Sequence, residues 1–307
     1  MNVLLTGASG FIGSHVARTL LEKNHCLTIV AMPGDPLTRL LDLKERIELI
    51  RAPLEDAGSV RRAILALKPD ACIHLAWYVE PLHYMHSSEN ITALTSSLSL
   101  FEALRDAGCK RIVGAGTCLE YDTDFGYLRE ASPARPACLY AAAKLACGLL
   151  GAQLAGSAKL SFVWGRIFYP YGPKDHPRRL VPSAIDALSR GRIFDATTGE
   201  QVRDYIHVTD VASALCLLAE IEAGGIFNIS SGVPVSVRRV LEILGSLLKR
   251  PDLLRFGALP DRPGDPPFIC GCNERLKSLG WRTSFTLDEG LADTIRALDW
   301  RQPGNES

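Results

Sequence analysis

A strand that runs straight into three spaced glycines constrains the fold of this chain more than any other feature. Asn2-Val3-Leu4-Leu5-Thr6 reads as a short, nearly continuous apolar strand, as expected where both faces are covered. Gly7, Gly10 and Gly13 follow, and Phe11–Lys23 has the periodicity of a helix. Glycines have mechanical tasks at such a junction. One lets the chain turn sharply, one lets backbone approach a bound group, and one lets the helix pack closely on the sheet. The helix starts with free N–H groups and a positive dipole end, which suits a pyrophosphate. The spacing is GxxGxxG rather than GxGxxG. Dinucleotide binding is expected at Gly7, Gly10, Phe11, Ile12 and Gly13. A tight turn without a ligand is the alternative.

The same strand–helix rhythm continues to about residue 167. Strands are expected at Cys26–Ala31, Ile47–Arg51, Ala71–Leu75, Arg111–Ala115 and Leu160–Ile167. Helices are expected at Val60–Leu67, Thr92–Ala107 and Tyr140–Leu154, with a helical or looped Leu37–Glu45. This alternation predicts an α/β fold, a parallel sheet covered by helices on both faces. Beyond residue 167 Pro and Gly become frequent, as in Tyr169-Pro170-Tyr171-Gly172-Pro173. A helix at Pro182–Arg190, a strand at Ile226–Ser230, helices at Val235–Leu248 and Leu287–Leu298, and a Pro-rich loop at Pro260–Pro267 are expected there. Arg301–Ser307 reads as a frayed tail.

Composition excludes several classes. The chain has 307 residues, 34 basic and 34 acidic, so its formal net charge is zero. A general nucleic-acid binder needs an excess of basic groups. With 47% hydrophobic residues the chain is also not dominated by disorder. No apolar run reaches the roughly 18 residues of a membrane span, and the first residues do not read as a signal peptide. A cytoplasmic location is expected. The nine cysteines are an odd number. Cys270 and Cys272 have CxC spacing with no partner set nearby, so no metal site is expected, and the cysteines read as reduced small apolar residues.

Tyr140-Ala141-Ala142-Ala143-Lys144 is the candidate catalytic constellation, with an ordinary surface pair as the alternative. The i,i+4 spacing puts Tyr140 and Lys144 on one helix face. A lysine ammonium beside a tyrosine is expected to bring the phenol toward neutrality, so that it can exchange a proton with an alcohol or ketone oxygen. Further on, Arg203-Asp204-Tyr205-Ile206-His207-Val208-Thr209-Asp210-Val211 is a distinctive segment whose arginine suits a phosphate.

With Gly7, Gly10 and Gly13, the Tyr140–Lys144 pair and the segment from Arg203 to Val211, the chain resembles the extended short-chain dehydrogenases/reductases over nearly its whole length. These are nucleotide-sugar epimerases, dehydratases and reductases. The resemblance implies a Rossmann doubly wound parallel sheet with a smaller C-terminal α/β substrate domain. Residues 1–167 and about 204–230 would bind NAD(P), and about 168–203 and 231–300 the substrate. It also implies that Thr117 hydrogen-bonds the reacting oxygen beside Tyr140. Leu54, after the third strand, and Leu75 and Ala76, in the segment under the cofactor ribose, would line the cofactor, with Tyr140 and Lys144. Arg179, Arg203 and Arg262 would hold the substrate diphosphate, and the helices Thr92–Ala107 and Tyr140–Leu154 would form a homodimer.

Departures from the family pattern narrow the reaction. Cys118-Leu119 stand where dehydratases carry two acids, which disfavours dehydration and decarboxylation. Cys118 is one residue away from the cysteine of the relatives that epimerise at C3 and C5. Glu120 reads as a structural anchor, and His207 and Asp210 as organisers of a turn. The second strand ends in Ala31-Met32-Pro33-Gly34 with no acid before Asp35, and Arg39 is within reach. This slightly favours NADP(H) over NAD(H). Two reactions need only Thr117, Tyr140, Lys144 and a nicotinamide. Reduction of a nucleoside-diphosphate 4-keto-6-deoxyhexose is favoured, with 4-epimerisation by tightly held NAD as the alternative. A non-catalytic NADP(H)-sensing regulator is disfavoured because Tyr140 and Lys144 are both present. A reductase of small carbonyl compounds would not need Arg203 and Arg262.

Overall fold

A computed structural model describes residues 1–156 and 158–299; the expected tail, Arg301–Ser307, lies outside the described residues. The main sheet has seven parallel strands in the spatial order 225–229, 161–167, 111–117, 71–74, 2–6, 26–31 and 47–51. Strand order reverses beside Asn2–Thr6, so the crevice at the carboxyl ends of the strands opens next to the glycine turn. Apolar residues on both faces of the sheet require two covering layers. Helices Phe11–Glu22 and Val208–Glu220 bury Val16, Leu20, Val211 and Leu215 on one face. Helices Ala57–Leu67, Glu89–Asp106 and Leu139–Gly156 bury Ile64, Leu100, Leu104 and Cys147 on the other.

Strand Arg111–Thr117 runs two residues beyond the expected Ala115, because Gly116 and Thr117 stay in register with Arg166 and Ile167. Helix Glu89–Asp106 begins three residues before Thr92, with the Ser87 hydroxyl accepting from the Glu89 amide. Helix Leu139–Gly156 corrects the reading that no apolar run is long enough to cross a membrane. Its 18 residues pass that test by length and composition alone. It packs on Glu89–Asp106 and on the sheet, and it carries the buried Lys144 inward, as a core helix does.

A smaller sheet orders strands 234–236, 202–207 and 169–171. Residues 204–207 thus pair within this sheet, and the helix that follows them covers the main one. Around the small sheet a separate core gathers Val181, Ile185, Val240, Leu244 and Leu291 from helices Leu180–Ser189, Val237–Leu247 and Leu287–Asp299.

Candidate functional site

The glycine turn leaves no room for side chains at two positions. Gly7 has φ +71°, and a Cβ there would lie 2.7 Å from the Ala76 nitrogen; a Cβ on Gly13 would lie 2.0 Å from the Gly7 carbonyl oxygen. Helix Phe11–Glu22 starts at Gly10 with no side-chain cap, which leaves N-terminal amides to an anion. The Thr6 hydroxyl accepts from the Leu75 and Ala76 amides at 3.3 and 3.2 Å and lies 2.7 Å from His74 Nδ1. Ser97 gives its own proton to the Ala93 carbonyl, so His74 Nε2 donates to Ser97 at 2.8 Å and Nδ1 accepts from Thr6. Burial, with Lys144 nearby, holds this ring's pKa down at about 3, so it stays neutral. The Arg39 guanidinium reaches the Ser9 carbonyl at 3.2 Å and the Lys174 carbonyl at 3.0 Å. Asp35, the first acid after strand Cys26–Ala31, turns back to its own loop and accepts from the Leu37 amide at 2.9 Å. Leu54 packs into the same apolar cluster as Trp77. The glycine turn, Leu75, Ala76 and Arg39 thus meet at one end of the sheet. Together they form a cradle that fits a dinucleotide.

Thr117, Tyr140 and Lys144 come together beside this cradle. Thr117 ends its strand, and its hydroxyl sits against the half-buried Tyr140 phenol. Lys144 is 4% exposed. Its ammonium donates to the Ala115 carbonyl at 2.7 Å and lies 3.9 Å from the centre of the Trp77 ring. The expectation that Lys144 brings the phenol toward neutrality is corrected in the protein alone. Burial raises the Tyr140 pKa, Tyr84 and Glu120 add to the rise, and the Thr117 hydrogen bond opposes it. Burial brings Lys144 down to about 8. Desolvation dominates, because charging a phenol away from water costs more than its hydrogen bond to Thr117 returns.

Glu120 is fully buried and anchors this corner. It accepts from the Thr117 amide at 2.8 Å, from Trp164 Nε1 at 3.0 Å and from Arg166 Nε at 2.7 Å. Burial pushes its carboxyl up against the opposing field of Arg166. Cys118 is buried and its thiol is pushed up to about 12, which makes it a poor nucleophile or base.

The three expected diphosphate arginines are held differently. Arg203 is 4% exposed and its fork is occupied, by Asp265 Oδ1 at 2.6 Å, the Pro266 carbonyl at 2.7 Å and the Val202 carbonyl at 2.8 Å. A phosphate held by Arg203, as the family resemblance implies, would have to share its fork with Asp265. Arg262 is exposed in the Pro-rich loop. Arg179 lies 3.6 Å from Asp175, whose carboxyl burial raises to about 6, and its charge reaches Tyr84 beside Tyr140. His207 caps helix Val208–Glu220 by accepting from the Thr209 amide, and Asp210 accepts from the Ser284 amide at 2.7 Å, both organising turns.

Several neighbours of the site escaped the sequence reading. Tyr84 packs edge-on against Tyr140, with ring centres 4.8 Å apart. The buried Asn90 side chain takes the Trp77 indole N–H at 2.9 Å and donates to the Tyr84 carbonyl at 2.6 Å. Asp175 and Asp265 were missed as partners of arginines. The one available signal was the aromatic content of the loop that contains Trp77, Tyr78 and Tyr84.

Comparison with known proteins agrees with this geometry. The model of the NAD dependent epimerase/dehydratase family matches residues 3–230. A UDP-glucose 4-epimerase of Corynebacterium glutamicum is 28% identical, over 93% of this chain and 92% of the relative. CDP-abequose synthase of Salmonella typhimurium is 26% identical, over 96% and 98%. Among solved structures, MoeE5 in complex with UDP-glucose and NAD superposes with a TM-score of 0.84 at 29% identity, covering 98% of this chain and 99% of that one.

Proposed function

The chain belongs to the NAD dependent epimerase/dehydratase family, and from that premise we propose that it transfers hydride at C4 of a nucleoside-diphosphate sugar, with Tyr140 as acid/base. The observation that carries this reading is the meeting of Thr117, Tyr140 and Lys144 beside the glycine cradle, with the buried Cys118 in place of an acid. A bound nicotinamide would supply the hydride acceptor or donor. Thr117 holds the reacting oxygen beside the phenol, and Tyr140 gives or takes its proton. Lys144, fixed by Ala115 and Trp77, keeps a positive charge at the cofactor side of the pair.

Reduction of a 4-keto-6-deoxy sugar nucleotide by exchangeable NADP(H) is the finer reading. Asp35 is turned away from the cradle and Arg39 lies against it, which suits a 2′-phosphate better than a 2′-hydroxyl. A second reading, 4-epimerisation with held NAD, is favoured by the UDP-glucose 4-epimerase relative and by the NAD bound to MoeE5. The nicotinamide content of the purified protein separates the two. An empty site with NADPH-dependent reduction of dTDP-4-keto-6-deoxyglucose supports the reductase. Stoichiometric NAD with interconversion of UDP-glucose and UDP-galactose supports the epimerase. Conversion of neither substrate sinks both.

We also propose a homodimer through helices Glu89–Asp106 and Leu139–Gly156. Ile91, Leu149 and Leu150 are 50%, 58% and 49% exposed on them, apolar side chains that a second copy would cover. Leu149→Glu should convert the dimer to a monomer in light scattering; a wild-type monomer would refute the pairing.

A further inference from the structure

The segment between strand Ala71–His74 and helix Glu89–Asp106 touches both members of the acid/base pair. At one end the Trp77 ring faces the Lys144 ammonium, 3.9 Å from ring centre to Nζ. At the other the Tyr84 ring meets Tyr140 at 88°, an edge-to-face packing with centres 4.8 Å apart. The next residue, Met85, gives its carbonyl to the Tyr140 amide at 3.0 Å. That amide lies in the first turn of helix Leu139–Gly156, where no intrahelical acceptor exists. The two contacts are tied together: Asn90 takes the Trp77 indole N–H and donates to the Tyr84 carbonyl at 2.6 Å and the Ser87 carbonyl at 2.9 Å.

We propose that Trp77 and Tyr84 are positioning residues for the proton-transfer pair, Tyr84 setting the ring of Tyr140 from its edge and Trp77 fixing the ammonium of Lys144. The proposal rests on the reading that Tyr140 and Lys144 do the proton work. An ammonium has three donors in a freely rotating head. The Ala115 carbonyl takes one direction and the aromatic face closes another, so the head is held without a carboxylate that would cancel its charge. A tyrosine ring swings about χ1 and χ2; the tethered amide fixes the backbone from which Tyr140 swings, and the Tyr84 edge blocks the swing toward its side. The hydroxyl of Tyr84 is not needed for this, only its ring.

The test has a substrate-free arm and a turnover arm. Protein labelled with 15N-tyrosine reports the amide exchange of Tyr140, identified by its loss in Tyr140→Phe. Tyr84→Leu should speed that exchange at least tenfold, while the amide of Tyr205, in the buried strand Val202–His207, stays as in the wild type and Tyr84→Phe changes neither. In turnover, with UDP-galactose or dTDP-4-keto-6-deoxyglucose as the probe, Tyr84→Leu should lower kcat at least tenfold with KM within threefold, and Tyr84→Phe should restore kcat. Glu120, Cys147 and His74 are the other titratable groups around Lys144, and the Trp77 substitutions leave all three unaltered in sequence. Trp77→Leu should move the alkaline limb of the kcat profile down by half a pH unit or more, because the ring face favours the ammonium. Trp77→Phe, which keeps a ring and loses the indole N–H, should move it less. Unchanged Tyr140 exchange or unchanged kcat in Tyr84→Leu overturns the role of Tyr84, and an unmoved limb in Trp77→Leu overturns that of Trp77. If wild type converts neither probe, the functional reading fails while amide exchange still decides whether Tyr84 holds Tyr140.

Discussion

The two ends of the candidate site hold their cations in opposite ways. Lys144 is held by neutral partners, a carbonyl and an aromatic face. Arg203 and Arg179 sit beside carboxylates, Asp265 at 2.6 Å and Asp175 at 3.6 Å. A cation held by neutral groups presents its full charge to a ligand. A cation paired with a carboxylate presents only the difference, and part of its ligand affinity goes into displacing or sharing the partner. The Lys144 end is thus set before any ligand arrives, whereas the arginine end shares its charge with two acids.

The sharpest way to break this contrast is at the set end. Tyr140→Phe should lower kcat by about 10²–10⁴-fold, the usual yield of a positioned acid/base, while nicotinamide binding by fluorescence titration stays nearly unchanged. Retained turnover would remove Tyr140 from its role. At the other end, Arg203→Ala should raise KM for the sugar nucleotide by roughly tenfold or more, about 1.4 kcal/mol per factor of ten. It should also cost about 1.5–3 kcal/mol in urea unfolding, because a charged hydrogen-bond network with Asp265 and Pro266 is lost. An unchanged KM would show that Arg203 serves only the fold.

Asp175 gives a pH test. Its carboxyl is raised to about 6 by burial, so below pH 6 it is neutral and Arg179 is released. KM should therefore fall by about threefold, the scale of a weak ion pair, between pH 7.5 and 5.5, and Asp175→Asn should flatten that change. The stability sign follows from the same direction. A raised carboxyl favours the fold below its ordinary value of 3.8, and that contribution is lost as pH rises through about 6, so Asp175→Asn should unfold at a higher temperature than wild type at pH 7.5. The smallest effect belongs to the exposed Arg262: Arg262→Ala should raise KM by less than about fivefold and shift stability by under about 0.5 kcal/mol. A larger rise would mean that the Pro-rich loop closes on the ligand.

Local patterns made much of the fold and part of the site legible in the sequence. Apolar runs separated by helical periodicity led to the parallel sheet, because burial on both faces leaves a strand no polar positions. Gly7, Gly10 and Gly13 marked the cradle because backbone approaching backbone excludes a Cβ, and the Gly13–Gly7 contact shows how tightly. The i,i+4 spacing put Tyr140 and Lys144 on one face by helix geometry alone. What the phenol does there was not legible. Its pKa depends on burial and on the nearby Tyr84 and Glu120, which come from segments 56 and 20 residues away. The partners of Arg203 and Arg179 were equally hidden, because a carboxylate meets an arginine through loop closure and not through periodicity.

The sequence by itself therefore determined the sheet, the glycine cradle and the shared helix face of Tyr140 and Lys144. Each follows from backbone sterics or from a repeat of two or 3.6 residues, which neighbours in the chain are enough to specify. Only the tertiary structure decided how those groups are charged and held. It brought Trp77 over Lys144, Tyr84 against Tyr140, and Asp265 onto Arg203, because desolvation and ion pairing depend on what surrounds a group in space.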